Sequence, residues 1–142
     1  HLLSWLGVEI DLEAMREWWV RWLDWLWTSK NGLDERAAKN NHGSNYDVHV
    51  LAVAAYVGTM SVAADVCSVA AHARLDVQVG KNGTLPLEDS RTKSQGYHAY
   101  DTRALLALVG ACHKLFVMSE SFRKGVNFPG DNANFLYLLH TI

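Results

Sequence analysis

Apolar positions recur at helical spacing along most of the 142-residue chain. In DLEAMREWWVRWLDWLW, residues 11–27, Leu12, Met15, Trp19, Trp22 and Leu26 share one face, and Trp18 and Trp25 form a neighbouring stripe. Asp11 is the expected N-cap. So many tryptophans widen the apolar face beyond one contact, so this helix should pack against two neighbours. An aromatic platform for sugar rings is the alternative reading. SKNG, residues 29–32, is expected to end the helix at its glycine. LDERAAKNNHGSNY, residues 33–46, is polar and is read as irregular around NNHG.

DVHVLAVAAYV, residues 47–57, is apolar on nearly every side, which predicts a helix buried all round. Gly58-Thr59 breaks it. SVAADVCSVAAHARL, residues 61–75, is a second helix of small residues, with Ser61 as candidate cap, and the two should form a close αα-hairpin. Residues 76–96, DVQVGKNGTLPLEDSRTKSQG, carry turn chemistry throughout, and a loop of that length in a compact domain is more often functional than idle. YHAYDTRALLALVGACHKLFV, residues 97–117, is a fourth helix. NFPGDN, residues 127–132, reads as a turn, and NFLYLLHTI, residues 134–142, as a short last helix. No stretch alternates as a strand would. The expected class is all-α, with residues 1–142 forming a single domain of antiparallel helix hairpins.

A net charge of −2 and a pI near 6.4 argue against a general electrostatic grip on nucleic acid or an anionic membrane. No apolar run approaches the roughly 20 residues of a membrane span. The chain begins with histidine and shows no signal peptide, so it is expected to start within a longer precursor. Cys67 and Cys112 are far apart in sequence and lie in apolar, helix-like surroundings, so both are expected to be buried free thiols. The histidines at 42, 49, 72, 98, 113 and 140 show no zinc-binding spacing, and no GxSxG elbow is present. No metal site is expected.

Three polar clusters remain: Asn41-His42, Arg91 with Lys93, and Tyr97-His98 with Tyr100. Each has a plain explanation. Asn41 can cap a helix, His42 can sit satisfied at a surface, Arg91 and Lys93 can be solvated, and Tyr97 can be a packing residue. Together, an amide, an imidazole, a guanidinium and a phenol suit β-elimination from a uronic acid. Asn41 and Arg91 would answer charge building on the carboxylate, His42 or Tyr97 would take the proton, and Tyr97 would return one to the leaving oxygen.

Two longer blocks add weight to that chemistry. WLWTSKNGLDERAAKNNHGSNYDVHVLAVAAYVG and, some 50 residues on, NGTLPLEDSRTKSQGYHAYDTRALLAL stand in the order and spacing seen in the alginate lyase family of (α/α)-toroid polysaccharide lyases, which the chain resembles over roughly residues 20–110. The resemblance implies part of an (α/α) toroid, a shortened or partial member with open helix faces prone to self-association. It implies β-elimination on an anionic polyuronate without a cofactor, in a secreted or periplasmic setting. Carried onto this chain, Asn41, His42, Arg91 and Tyr97 match the catalytic set, and Asn40, Lys93, His98 and Tyr100 fall where substrate is bound. Asn45 stands where many relatives have tryptophan, His49 where many have glutamine, and Gly96 where many have histidine. These departures bear on which substrate is bound. The alternatives are a toroid lyase acting on glycosaminoglycan or glucuronan, and a glycan-binding remnant without catalysis. On either lyase reading, the NNHG turn and the RTKSQGY loop should meet in space.

Overall fold

A computed structural model describes residues 11–118, and those residues are mostly helical with no strand among them. Helix α1 spans Leu12–Thr28, α2 Lys30–Ala37, α3 Asn41–Val57 and α4 Met60–Ala70, the last continuing into a π-helical turn at Ala71–Asp76. A one-turn helix α5, Pro86–Asp89, precedes the long α6, Ser94–Met118. The segments NFPGDN and NFLYLLHTI lie outside the described residues.

Helix α3 is the hub, packed against α1, α2, α4 and α6. Gly58, left-handed at φ 84°, ends α3, and the chain returns at once as α4, giving the expected antiparallel hairpin. Helices α3 and α6 run in the same direction. Asn41 and Asn45 share a pocket with Tyr100, while Val48, Leu51 and Ala55 share a groove with Leu108, Leu115 and Met118.

Several local expectations change. Helix α1 begins as predicted, with the Asp11 carboxylate accepting from the Ala14 amide at 2.9 Å. Its buried residues, however, are Leu23 and Leu26, while Leu12 and Met15 are exposed. It does not end at a glycine. Ser29 closes α1 in extended geometry and its side chain accepts from the Gly32 amide, starting α2. Gly32 is required for a different reason: a Cβ there would lie 2.0 Å from the Leu26 carbonyl oxygen, so the glycine permits the tight α1–α2 crossing.

The NNHG stretch is not irregular. Asn40 is the cap, its side chain accepting from the His42 amide, and Asn41 is already the first helical residue. A Cβ on Gly43 would fall 2.1 Å from the Ala38 carbonyl oxygen and 2.5 Å from Arg74 Nη1, so this glycine lets the α2–α3 corner and Arg74 close upon α3. Helix α4 already includes Met60, so Ser61 lies inside it rather than capping it.

The largest correction concerns the thiols. Cys67 on α4 and Cys112 on α6 form a disulfide, with Cα atoms 5.6 Å apart. Both are buried as predicted, but each is the other's partner. Sequence separation hid the pairing, because helix packing brings together positions 45 residues apart. Among the described residues no helix is long and apolar enough to cross a membrane.

Candidate active site

The first turn of α3 is where the chemistry gathers. Asn41 is buried, and both its backbone amide and its side-chain amide donate to Glu88 Oε1 at 2.7 Å. Glu88 comes from α5 and is itself only 1% exposed. Its second oxygen faces Arg91 Nη1 at 3.9 Å. Arg91 in turn lies over the ring of Tyr97, 4.0 Å from its centroid, a cation–π contact. The NNHG turn and the RTKSQGY loop are therefore joined, through a residue that sequence reasoning did not single out.

His42 is half exposed, and its Nδ1 meets Glu35 Oε2 at 2.9 Å. A carboxylate can only accept, so Nδ1 donates and the neutral ring is left with a lone pair on Nε2. Asn41, His42 and Tyr100 line one pocket of about 340 Å³, together with Trp22, Leu26, Glu35, Asn45, Tyr46 and His49. Lys93, Gly96, Tyr97 and Tyr100 line a second of about 260 Å³, and Tyr100 is common to both. Asn40, Arg91 and His98 line neither. His98 is tethered instead, its Nδ1 2.6 Å from Asp89 Oδ1, while the other Asp89 oxygen accepts from the Leu85 amide. The bond to His98 holds the Asp89 carboxyl below its ordinary pKa, with the Leu85 amide adding to the effect.

Beneath the pockets lies a buried polar layer. Arg74, from the π-helical turn, donates to Asp47 at 2.6 Å and to the carbonyls of Ala38 and Arg36 at 2.8 Å each. It thereby pins the end of α2 to the first turns of α3. Burial pushes the Asp47 carboxyl up, and its bond and charge pairing with Arg74 oppose that. Ser44 Oγ donates to Gln78 Oε1 at 3.0 Å. That hydroxyl has one proton, so it does not also serve Asp101, whose oxygens have no hydrogen-bond partner among the described residues. Burial raises the Asp101 pKa. The nearby charge of Glu88 adds to the rise, and that of Arg74 opposes it. Glu88 was visible in the quoted PLE run, yet nothing in the sequence marked it as buried. Arg74 carried no signal beyond being a basic residue near a helix end. Among the described residues no three His, Cys, Asp or Glu side chains converge as metal ligands.

The described residues thus form an all-α hairpin array in which amide, imidazole and phenol side chains line two pockets that share Tyr100. A family model described as alginate lyase matches residues 9–116, and the chain belongs to that family. A crystal structure of an alginate lyase from Bacteroides ovatus superposes with a TM-score of 0.63 at 23% identity, covering 87% of this chain and 39% of the other. The chain thus spans about two fifths of that protein's length and shares its fold. No curated protein sequence matches significantly.

Proposed function

We propose that this chain carries a polysaccharide lyase site that cleaves a uronate-containing glycan by β-elimination. The observation that carries the reading is the link from Asn41 through buried Glu88 to Arg91 and on to Tyr97. It ties the two blocks of sequence into one unit. A uronate carboxylate would lie in the pocket against Asn41, whose side-chain amide keeps one N–H beyond its bond to Glu88, while Arg91 adds positive charge from the far side of Glu88. Charge grows on that carboxylate as the adjacent C–H proton leaves, and preorganised donors stabilise it. His42, with Nδ1–H committed to Glu35, offers Nε2 as the base. Tyr97 donates its phenolic proton to the glycosidic oxygen two bonds away as that C–O bond breaks. The electron pair of the C–H bond becomes the new C=C of an unsaturated uronate, and the leaving sugar gains a hydroxyl.

Lys93 and Tyr100 extend the wall toward neighbouring sugars, while Asn40 and His98 hold the ends of α3 and α6 in place. The Cys67–Cys112 disulfide favours a secreted or periplasmic setting, where such bonds persist.

The test is the initial rate of unsaturated product, read by ultraviolet absorbance, on a panel of polymannuronate, polyguluronate, glucuronan and glycosaminoglycan. Tyr97→Phe should lower turnover by about a hundred- to ten-thousand-fold with little change in affinity. A variant that keeps most of the wild-type rate sinks the role of Tyr97. Binding without product on every polymer would make the chain a glycan-binding remnant.

A further inference from the structure

We propose that His49 is a neutral hydrogen-bond donor of the pocket, locked in one tautomer by Trp22, and that it recognises an oxygen of a bound acidic sugar. The inference rests on the glycan reading of the pocket given above. Trp22 Nε1 lies 3.0 Å from His49 Nε2. An indole N–H can only donate, so His49 Nε2 must accept. A protonated imidazole has no lone pair to accept with. His49 is therefore neutral in this arrangement, and its proton sits on Nδ1. That nitrogen has no hydrogen-bond partner among the described residues. His49 and Trp22 both line the pocket that holds Asn41 and His42.

Trp22 is itself held firmly. Its ring stacks with Trp18 at 5.6 Å and 8° and with Trp25 at 5.0 Å and 17°. An indole fixed on both sides gives its N–H a fixed direction, which a lone exposed tryptophan would lack. The ladder on α1 thus orients a histidine on α3. The two pocket histidines are set oppositely. Glu35 takes the proton of His42 Nδ1 and leaves a lone pair as a base, while Trp22 takes the lone pair of His49 Nε2 and leaves an N–H as a donor. A sugar hydroxyl or carboxylate oxygen is the acceptor such a donor suits. A glutamine at this position would also offer one acceptor and one donor, which makes it the conservative replacement.

Two measurements test this on the chain as it stands. Nitrogen-15 shifts of the His49 ring at neutral pH should show Nδ1 protonated and Nε2 bare. In Trp22→Phe, which removes the indole N–H together with the pyrrole ring but keeps an aromatic side chain, the Nε2–H form should gain. Titration with short oligomers of mannuronate, guluronate and glucuronate should then show His49→Phe binding about tenfold more weakly than wild type, as loss of one such donor predicts. His49→Gln should recover most of that affinity. An Nε2–H tautomer in the wild type, or equal binding by His49→Phe, overturns the proposal and leaves the lyase reading standing. Binding that depends on His49 without any turnover sinks the lyase reading and sustains this one. A wild type that binds none of the oligomers overturns both.

Discussion

The two halves of α3 are equally buried and chemically opposite. Its first half buries Asn41, Ser44 and Asp47, and its second half buries Val50, Leu51, Val53, Ala54 and Val57. The second half meets Leu108 and Cys112 of α6 and Ala63, Val66 and Cys67 of α4, an apolar core clasped by the disulfide. The first half meets Arg74, Gln78, Glu88 and Asp101. Each polar group there gives up water and must be answered by a partner, whereas the apolar half gains by the same burial. One end of the helix stabilises the fold, and the other spends part of that stability on holding polar groups in place.

The sharpest way to break this contrast is Arg74→Met. It keeps the bulk but leaves Asp47 buried and unpaired, and it frees the Arg36 and Ala38 carbonyls. Loss of one partner of a buried pair costs about 3–5 kcal/mol, so the denaturation midpoint should fall steeply. A midpoint within error of wild type would mean that the polar layer contributes no stability. At the apolar end, replacing Cys67 and Cys112 together by alanine should cost about 3 kcal/mol, mainly because the unfolded chain regains a long loop. Pocket chemistry should survive that change, so any remaining folded fraction should bind glycan as wild type does. Loss of binding in step with the disulfide would show that the two ends are coupled.

The smallest expected effect is on pH dependence. Burial raises the folded pKa of Asp101 above its unfolded value near 3.9. The folded state then holds the proton more tightly, so this residue's contribution is full below about pH 4 and is lost as pH rises through the raised value. Asp101→Asn removes the titration. It should flatten the fall in stability above about pH 4 and raise stability at neutral pH by about 1 kcal/mol. A stability–pH curve unchanged by the substitution would show that Asp101 is charged and accommodated in the fold.

Much of this was legible in the chain. The helical spacing around α1 and the break at Gly58 depend on neighbours within a few residues, and each appears where the pattern placed it. So does Asp11 as a cap. The apolar run of α3 is helical as expected but is not buried all round, because Ala52, Ala55 and Tyr56 face outward. Of the eight residues the two family blocks pointed to, Asn41, His42, Lys93, Tyr97 and Tyr100 line the pockets, while Asn40, Arg91 and His98 do not. Local pattern misread NNHG as irregular, because asparagine and glycine usually signal turns. Here Asn40 caps, and Gly43 is spent on a close approach by Arg74.

Only tertiary structure decided the rest. The partnership of Cys67 with Cys112, of Asn41 with Glu88, of Asp47 with Arg74 and of Trp22 with His49 joins residues 27 to 47 positions apart. Local periodicity says which face of a helix turns inward, but it does not say which residue waits there. A buried carboxylate and an exposed one are written with the same letter. What separates Glu88 from a solvated loop charge is the packing of α5 under the first turn of α3, a contact between distant segments that each sequence window sees only one side of.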